Sequence, residues 1–147
     1  MAVSKREEAL AAVASLLSTI PGVKHLRTPS FELGSADLPY VAIVDGEEEI
    51  ANLMSGILSV TTQCTVVIGV RQDSQQGLGT ALNDLLGKVR AAIGSNPTLD
   101  NKVIAVDYVG ADEPDFDRDA NAPPQAVIAL SFSIRREEAE HDPYAYH

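Results

Sequence analysis

Apolar residues return at three- and four-residue intervals in the first stretch of the chain: Leu10, Val13, Leu17 and Ile20, flanked by Ala9, Ala14 and Leu16. That spacing gathers one apolar stripe and predicts an amphipathic helix over 4–19. Ser4 followed by Glu7 adds a capping box, in which the Ser4 hydroxyl accepts from the Glu7 N–H while the Glu7 carboxylate reaches back. Pro21 and Gly22 predict the stop, because proline cannot extend the hydrogen-bond ladder and glycine tolerates the turn. The same period reappears at Leu78, Leu82, Leu85, Leu86, Val89 and Ile93 and predicts a second helix over 75–93, with Gly94 as its cap.

Between and after these helices the period is two. Over 58–70, Leu58, Val60, Thr62, Cys64, Val66, Ile68 and Val70 alternate with Ser59, Thr61, Gln63, Thr65 and Gly69, as a half-buried strand requires. Residues 125–135 alternate again, with Ala126, Ile128, Leu130, Phe132 and Ile134 on one side. A compact apolar run over 40–44 predicts a strand that ends at the acidic corner Glu47, Glu48 and Glu49, read as a solvated turn. Short extended pieces are expected over 23–28 and 102–110, the latter after a turn at Asn96 and Pro97. The stretch 112–124 is too polar and too interrupted by proline for regular structure.

Two one-sided helices and several alternating strands fit best as an α+β fold. The expected form is a two-layer sandwich: a mostly antiparallel or mixed sheet of four to five strands, with both helices on one face. The other face would be polar, carrying Thr61, Gln63, Thr65, Ser131, Ser133 and Arg135. One domain is expected over 1–136, followed over 137–147 by a flexible acidic tail containing Tyr144 and Tyr146.

Length and charge narrow the function. At 147 residues with 45% apolar side chains, the chain can bury a single core without staples. Twenty-one acidic against eleven basic residues give 11 − 21 = −10, which disfavours tight binding to nucleic-acid phosphates and to anionic lipid surfaces. The single cysteine, Cys64, cannot form an internal disulfide, and its apolar row makes it a packing group. The N-terminus is charged from Lys5 to Glu8 and no window approaches the ~20 apolar residues of a membrane span, so a soluble, unexported chain is expected.

The chemistry of a site is sparse. Gly77-Leu78-Gly79 lacks the third glycine and the lysine of a phosphate loop. There is no Gly-x-Ser-x-Gly elbow, and His25, His141 and His147 stand apart from any nucleophile. Neither an enzyme nor a cofactor is expected. Asp115, Asp117 and Asp119 have the alternate spacing of a calcium loop, with Asp112 and Glu113 nearby. Ala120 stands where such a loop needs glycine, Ala126 where it needs a bidentate glutamate, and Arg118 lies between two ligands. These aspartates are weak metal candidates.

The order of elements resembles the tail terminator proteins of tailed bacteriophages. The resemblance rests on a leading helix closing in Ile20-Pro21-Gly22-Val23, a strand entry at Leu38-Pro39, and a long central strand before the second helix. It extends to the turn 96–103, where Asn101 replaces the usual glycine, and to the closing strand over 126–135. It implies a virion structural protein that closes into a ring, typically a hexamer of identical subunits, at the head-proximal end of the tail. There it would end polymerisation of the tail tube protein and present a surface to a neck or head-completion protein. It implies synthesis in the host cytoplasm, no membrane partner and no sequence-specific nucleic acid, with DNA passing through the ring. Alternatives are another neck or head-to-tail connector component, and a small acidic calcium-responsive binding module. The interface candidates are Glu47, Glu48 and Glu49, the loop with Asp112, Glu113, Asp115, Asp117 and Asp119, and Arg135, Arg136, Tyr144 and Tyr146.

Overall fold

The computed structural model describes residues 4–27, 39–54, 56–71, 77–117, 125–139 and 142–146. It is an α+β fold: helices α1 (Lys5–Leu17) and α2 (Leu78–Gly94) cover one face of a seven-stranded sheet. The strands are β1 (Lys24–Arg27), β2 (Tyr40–Met54), β3 (Ile57–Arg71), β4 (Ala105–Ala111), β5 (Asp115–Asp117), β6 (Gln125–Ala139) and β7 (Asp142–Tyr146). Their order is β1-β2-β3-β6-β4, and β5 and β7 also pair with β6. Only β1 on β2 is parallel; every other pairing is antiparallel, so the sheet is mixed.

The helices form where the spacing places them. Ser4 Oγ accepts from the Glu7 N–H at 3.2 Å and caps α1, but the Glu7 carboxylate turns to Arg27 rather than completing the capping box. Leu10, Val13 and Leu17 from α1 meet Leu78, Leu82, Leu85, Val89 and Ile93 from α2 in one cluster. Val41, Ile43, Val66, Ile68, Ile128, Leu130 and Phe132 close that cluster from the sheet. Helix α1 ends three residues before Ile20. The hydroxyls of Ser18 and Thr19 donate to the Ser15 and Leu16 carbonyls, and Gly22 then turns the chain at φ 77°.

The turn after α2 carries three consecutive non-glycine residues in the left-handed region: Leu99 (φ 50°), Asp100 (φ 59°) and Asn101 (φ 66°). Two local contacts hold it: Asn96 Oδ1 accepts from the Asp100 N–H, and Asn96 Nδ2 donates to Asp100 Oδ1, both at 3.0 Å. Burial of Leu99, 1% exposed, fixes the same conformation from the core side. Asparagine tolerates this region, which is how Asn101 can stand where the resemblance leads one to expect glycine.

Four expectations need correction. The sheet has seven strands rather than four to five, because three short strands pair along the edges of the long ones. Strand β2 does not stop at Glu47, Glu48 and Glu49; it runs through them to Met54, since β3 supplies a partner backbone along the whole length. Part of the acidic stretch is regular too: β5 lies on β6 with Asp115 opposite Val127 and Asp117 opposite Gln125. The boundary placed at residue 136 falls inside β6, which continues to Ala139 before β7 folds back with Tyr146 opposite Glu138. Proximity of the new backbone outweighs the polar composition in each case, because strand pairing is made by main-chain groups that every residue carries.

Length explains what sits where. Fifteen-residue strands β2, β3 and β6 span roughly 50 Å at the usual rise, whereas α1 (13 residues) and α2 (17 residues) span roughly 20 and 25 Å. The helix layer therefore covers only part of the long strands. The remainder, formed by the far part of β2, the start of β3 and the end of β6, is an arm whose buried residues mix Ile57 and Val60 with polar and charged side chains.

Candidate functional site

At the root of this arm the alternation of β3 and β6 continues, but Thr62, Arg136 and Glu138 join Val60 at its inward positions. The Arg136 side chain is 2% exposed and every edge of its guanidinium is used. Its Nε donates to Glu138 Oε1 at 2.7 Å, Nη1 to the Thr62 hydroxyl at 2.6 Å and Nη2 to Glu48 Oε1 at 2.9 Å. Thr62 Oγ1 donates in turn to Glu48 Oε1 at 3.4 Å. Arg6, at the start of α1, reaches the same Glu48 oxygen at 3.3 Å and the Gly46 carbonyl at 2.8 Å.

The clasp thus ties β2, β3, β6 and α1 together through two arginines and two glutamates whose formal charges cancel. A buried guanidinium is tolerated only when paired and fully hydrogen-bonded, and this one is both. Burial pushes the Glu48 carboxyl up, but hydrogen bonding and charge from Arg136, then Arg6, outweigh it and hold the group below the usual carboxylate range.

Glycine is required at the bend in β2. The pairing register slips between Asp45 and Glu48, and a Cβ on Gly46 would lie 2.5 Å from the Gln63 carbonyl oxygen. The bulge turns Glu48 inward to the clasp. Beside it, Arg27 pairs with both Glu7 oxygens and, at 3.6 Å, with Asp45.

The two flanks of the sheet differ. Beyond residue 43, where β1 ends its pairing, the outer edge of β2 is exposed and carries Glu47, Glu49 and Ile50. On the other flank β4 is the last strand in the order, with Ile104 and Val109 exposed beside it and Phe116 exposed on β5. A groove of about 430 Å³ runs between α2 and β4, lined by Arg90, Ala91, Val106, Tyr108 and Phe132 among others. Arg90 lies over the Tyr108 ring, 4.2 Å from its centroid, and Tyr108 in turn packs at a tilt on Phe132. A second hollow, of about 320 Å³, lies between α1 and the β1–β2 pair and includes His25 and Arg27.

The sequence-named residues separate into groups. Glu48 and Arg136 meet in the clasp, 88 positions apart, whereas Glu47 and Glu49 face solvent. Arg135 is exposed and pairs with Asp107 at 3.3 Å on the face away from the helices. Asp112 and Glu113 are exposed between β4 and β5, and the Asp112 N–H donates to the Ala129 carbonyl. Asp115 and Asp117 are in β5, while Asp119 lies outside the described residues. Among the described residues no three metal-capable side chains converge. Tyr144 and Tyr146 belong to β7, which passes close to α1.

Thr62 and Glu138 were missed as members of the clasp. The available signal was that both keep the even-numbered parity of the apolar rows in β3 and β6. Cys64 is buried, its thiol pushed up to about 12 by desolvation and by Asp45, which fits a packing group.

No protein-family model matches the chain, and a search of curated proteins finds no relative. Among solved structures, the chain is distantly similar to one from a particle described as the virion of a native gene transfer agent. That likeness has 14% identity and a TM-score of 0.40 and covers 90% of each chain.

Proposed function

We propose that this chain is a structural, non-catalytic subunit that closes into a ring, in the manner of the phage tail terminators its element order resembles. In that role it would cap the tail tube at the head-proximal end of a virion and offer its other face to a neck component. The observation that carries the reading is the pair of unlike flanks: an arm of β2 with exposed Glu47 and Glu49 on one side of the sheet, and on the other a β4 flank with a groove that holds Arg90 over Tyr108, beyond which Asp112 and Glu113 are exposed. A closed ring is built from heterologous contacts, in which each subunit offers two different patches to its two neighbours. The clasp supports the same reading, since it gives the arm a fixed attitude relative to α1 and lowers the ordering cost of a contact made through it.

Light scattering across a concentration series, with negative-stain images of the same fractions, tests the proposal. The expected result is a particle of about six subunits with a central hole. A chain that remains monomeric both alone and with tail tubes would refute it.

A further inference from the structure

We infer that the subunit contact is made between the acidic outer edge of the β2 arm in one copy and the α2–β4 groove in the next, an inference that rests on the ring reading above. The groove holds an uncompensated cation. Arg90 is exposed and lies over Tyr108, yet it has no carboxylate partner among the described residues, in a chain whose acidic residues outnumber its basic ones 21 to 11. Arg6, Arg27, Arg135 and Arg136 are each paired with an acidic side chain, whereas Arg71, exposed at the end of β3, shares with Arg90 the lack of an ion pair among the described residues.

The apolar lining points the same way. Ile93, Val106, Tyr108 and Phe132 line the groove beside Arg90 and call for an occupant that brings apolar surface as well as negative charge. The edge of the β2 arm carries both: Glu47 and Glu49 are exposed, and Ile50, 59% exposed, projects from the opposite face of the strand to Glu49. Two copies of so acidic a chain repel at long range, so their contact needs a local pairing of opposite charge, and the arm and groove provide it. Within one copy the two surfaces stand at opposite flanks, with β3 and β6 between them, so neither can satisfy the other internally. Each copy bound through its arm keeps its groove free for the next, which is the condition for a closed ring. The hollow beside α1 is a poorer partner for the arm, because its Arg27 is already paired with Glu7 and Asp45.

The experiment is charge reversal read by light scattering over a concentration series, with circular dichroism to establish that each variant keeps its fold. Arg90→Glu alone, and Glu47→Arg with Glu49→Arg, are each expected to raise the concentration needed for assembly by at least about tenfold, and the chain carrying all three changes to recover most of that loss. As an independent arm, a chain with Ile50→Cys and Gly87→Cys is expected to form a ladder of covalent multimers on oxidation, with buried Cys64 giving little background. Wild-type rings whose assembly neither reversal weakens, or reversals that the combined variant fails to rescue, would overturn this contact and leave the ring reading standing. A wild-type chain that is monomeric at every concentration and with tail tubes overturns both.

Discussion

Strands β2, β3 and β6 pass through two unlike surroundings. At one end, the start of β2 and β6 and the end of β3, they lie under α1 and α2, and the inward row is Val41, Ile43, Val66, Ile68, Ile128 and Leu130. Toward the arm the inward face carries Val60 together with Thr62, Arg136, Glu138 and, past the bulge, the part-exposed Glu48. In β3 and β6 the pleat is unchanged, and in β2 the bulge after Asp45 resets it; what differs besides is the cover. Helices supply apolar side chains that favour apolar neighbours, whereas the start of α1 brings Arg6 to the arm, and a charged network completes the layer. Burial therefore does not by itself select apolar residues. The helix-covered half gains from removing apolar area from water, while the arm gains a fixed orientation from hydrogen bonds that must all be present together.

Removing Arg136 should have the largest effect. Arg136→Ala leaves Glu138 nearly buried and unpaired and deprives Thr62 and Glu48 of their donor, which typically costs about 3–5 kcal/mol. Chemical denaturation would measure it; a loss under about 0.5 kcal/mol, the level of surface sites, would mean that the clasp contributes nothing to stability. In the helix-covered half, Leu82→Ala should cost about 2–5 kcal/mol, since Leu82, in the second turn of α2, is 1% exposed. Because the Arg136 side chain is 2% exposed, salt should screen its pairing little, so the Arg136→Ala and Leu82→Ala deficits should both hold between low and high ionic strength.

Gly46→Ala sharpens the comparison at the bulge. The added methyl meets the Gln63 main chain, so the strand must shift at a cost of about 1–3 kcal/mol, and the Arg6 contact to the Gly46 carbonyl should loosen with it. Hydrogen exchange at the amides of 47–50 would report that loosening.

The smallest effect is the pH dependence of the clasp. The folded Glu48 pKa lies below its unfolded value, so the stabilisation it brings is full above about pH 4.3, the ordinary glutamate value, and is lost as pH falls through the lowered folded value. Glu48→Gln should therefore be less stable than the wild type at neutral pH, and the difference should close in acid. Thermal unfolding of both chains at neutral and acid pH tests the sign, and a gap that widens in acid would contradict it.

How much of this was legible depends on which interactions are local. The capping serine, the stripe in each helix and the alternation over 58–70 and 125–135 are set within a few residues, and they place both helices, the core of two long strands and the α+β class with helices on one face. The candidate site was legible only in fragments. Glu48 and Arg136 stood out as charged residues near expected strand ends, but nothing nearby in the chain shows that they touch. Asp115 and Asp117 suggested a loop because aspartate disfavours strands, and pairing with β6 decided otherwise.

The sequence by itself determined where the apolar faces are and hence the layers they must form, because periodicity is a property of neighbours along the chain. The tertiary structure alone decided how far β2 and β6 run, which charges become buried, and which flanks stay open. Those outcomes depend on a partner backbone supplied from elsewhere in the chain and on helices too short to cover the strands, and neither can be read from the segment being folded.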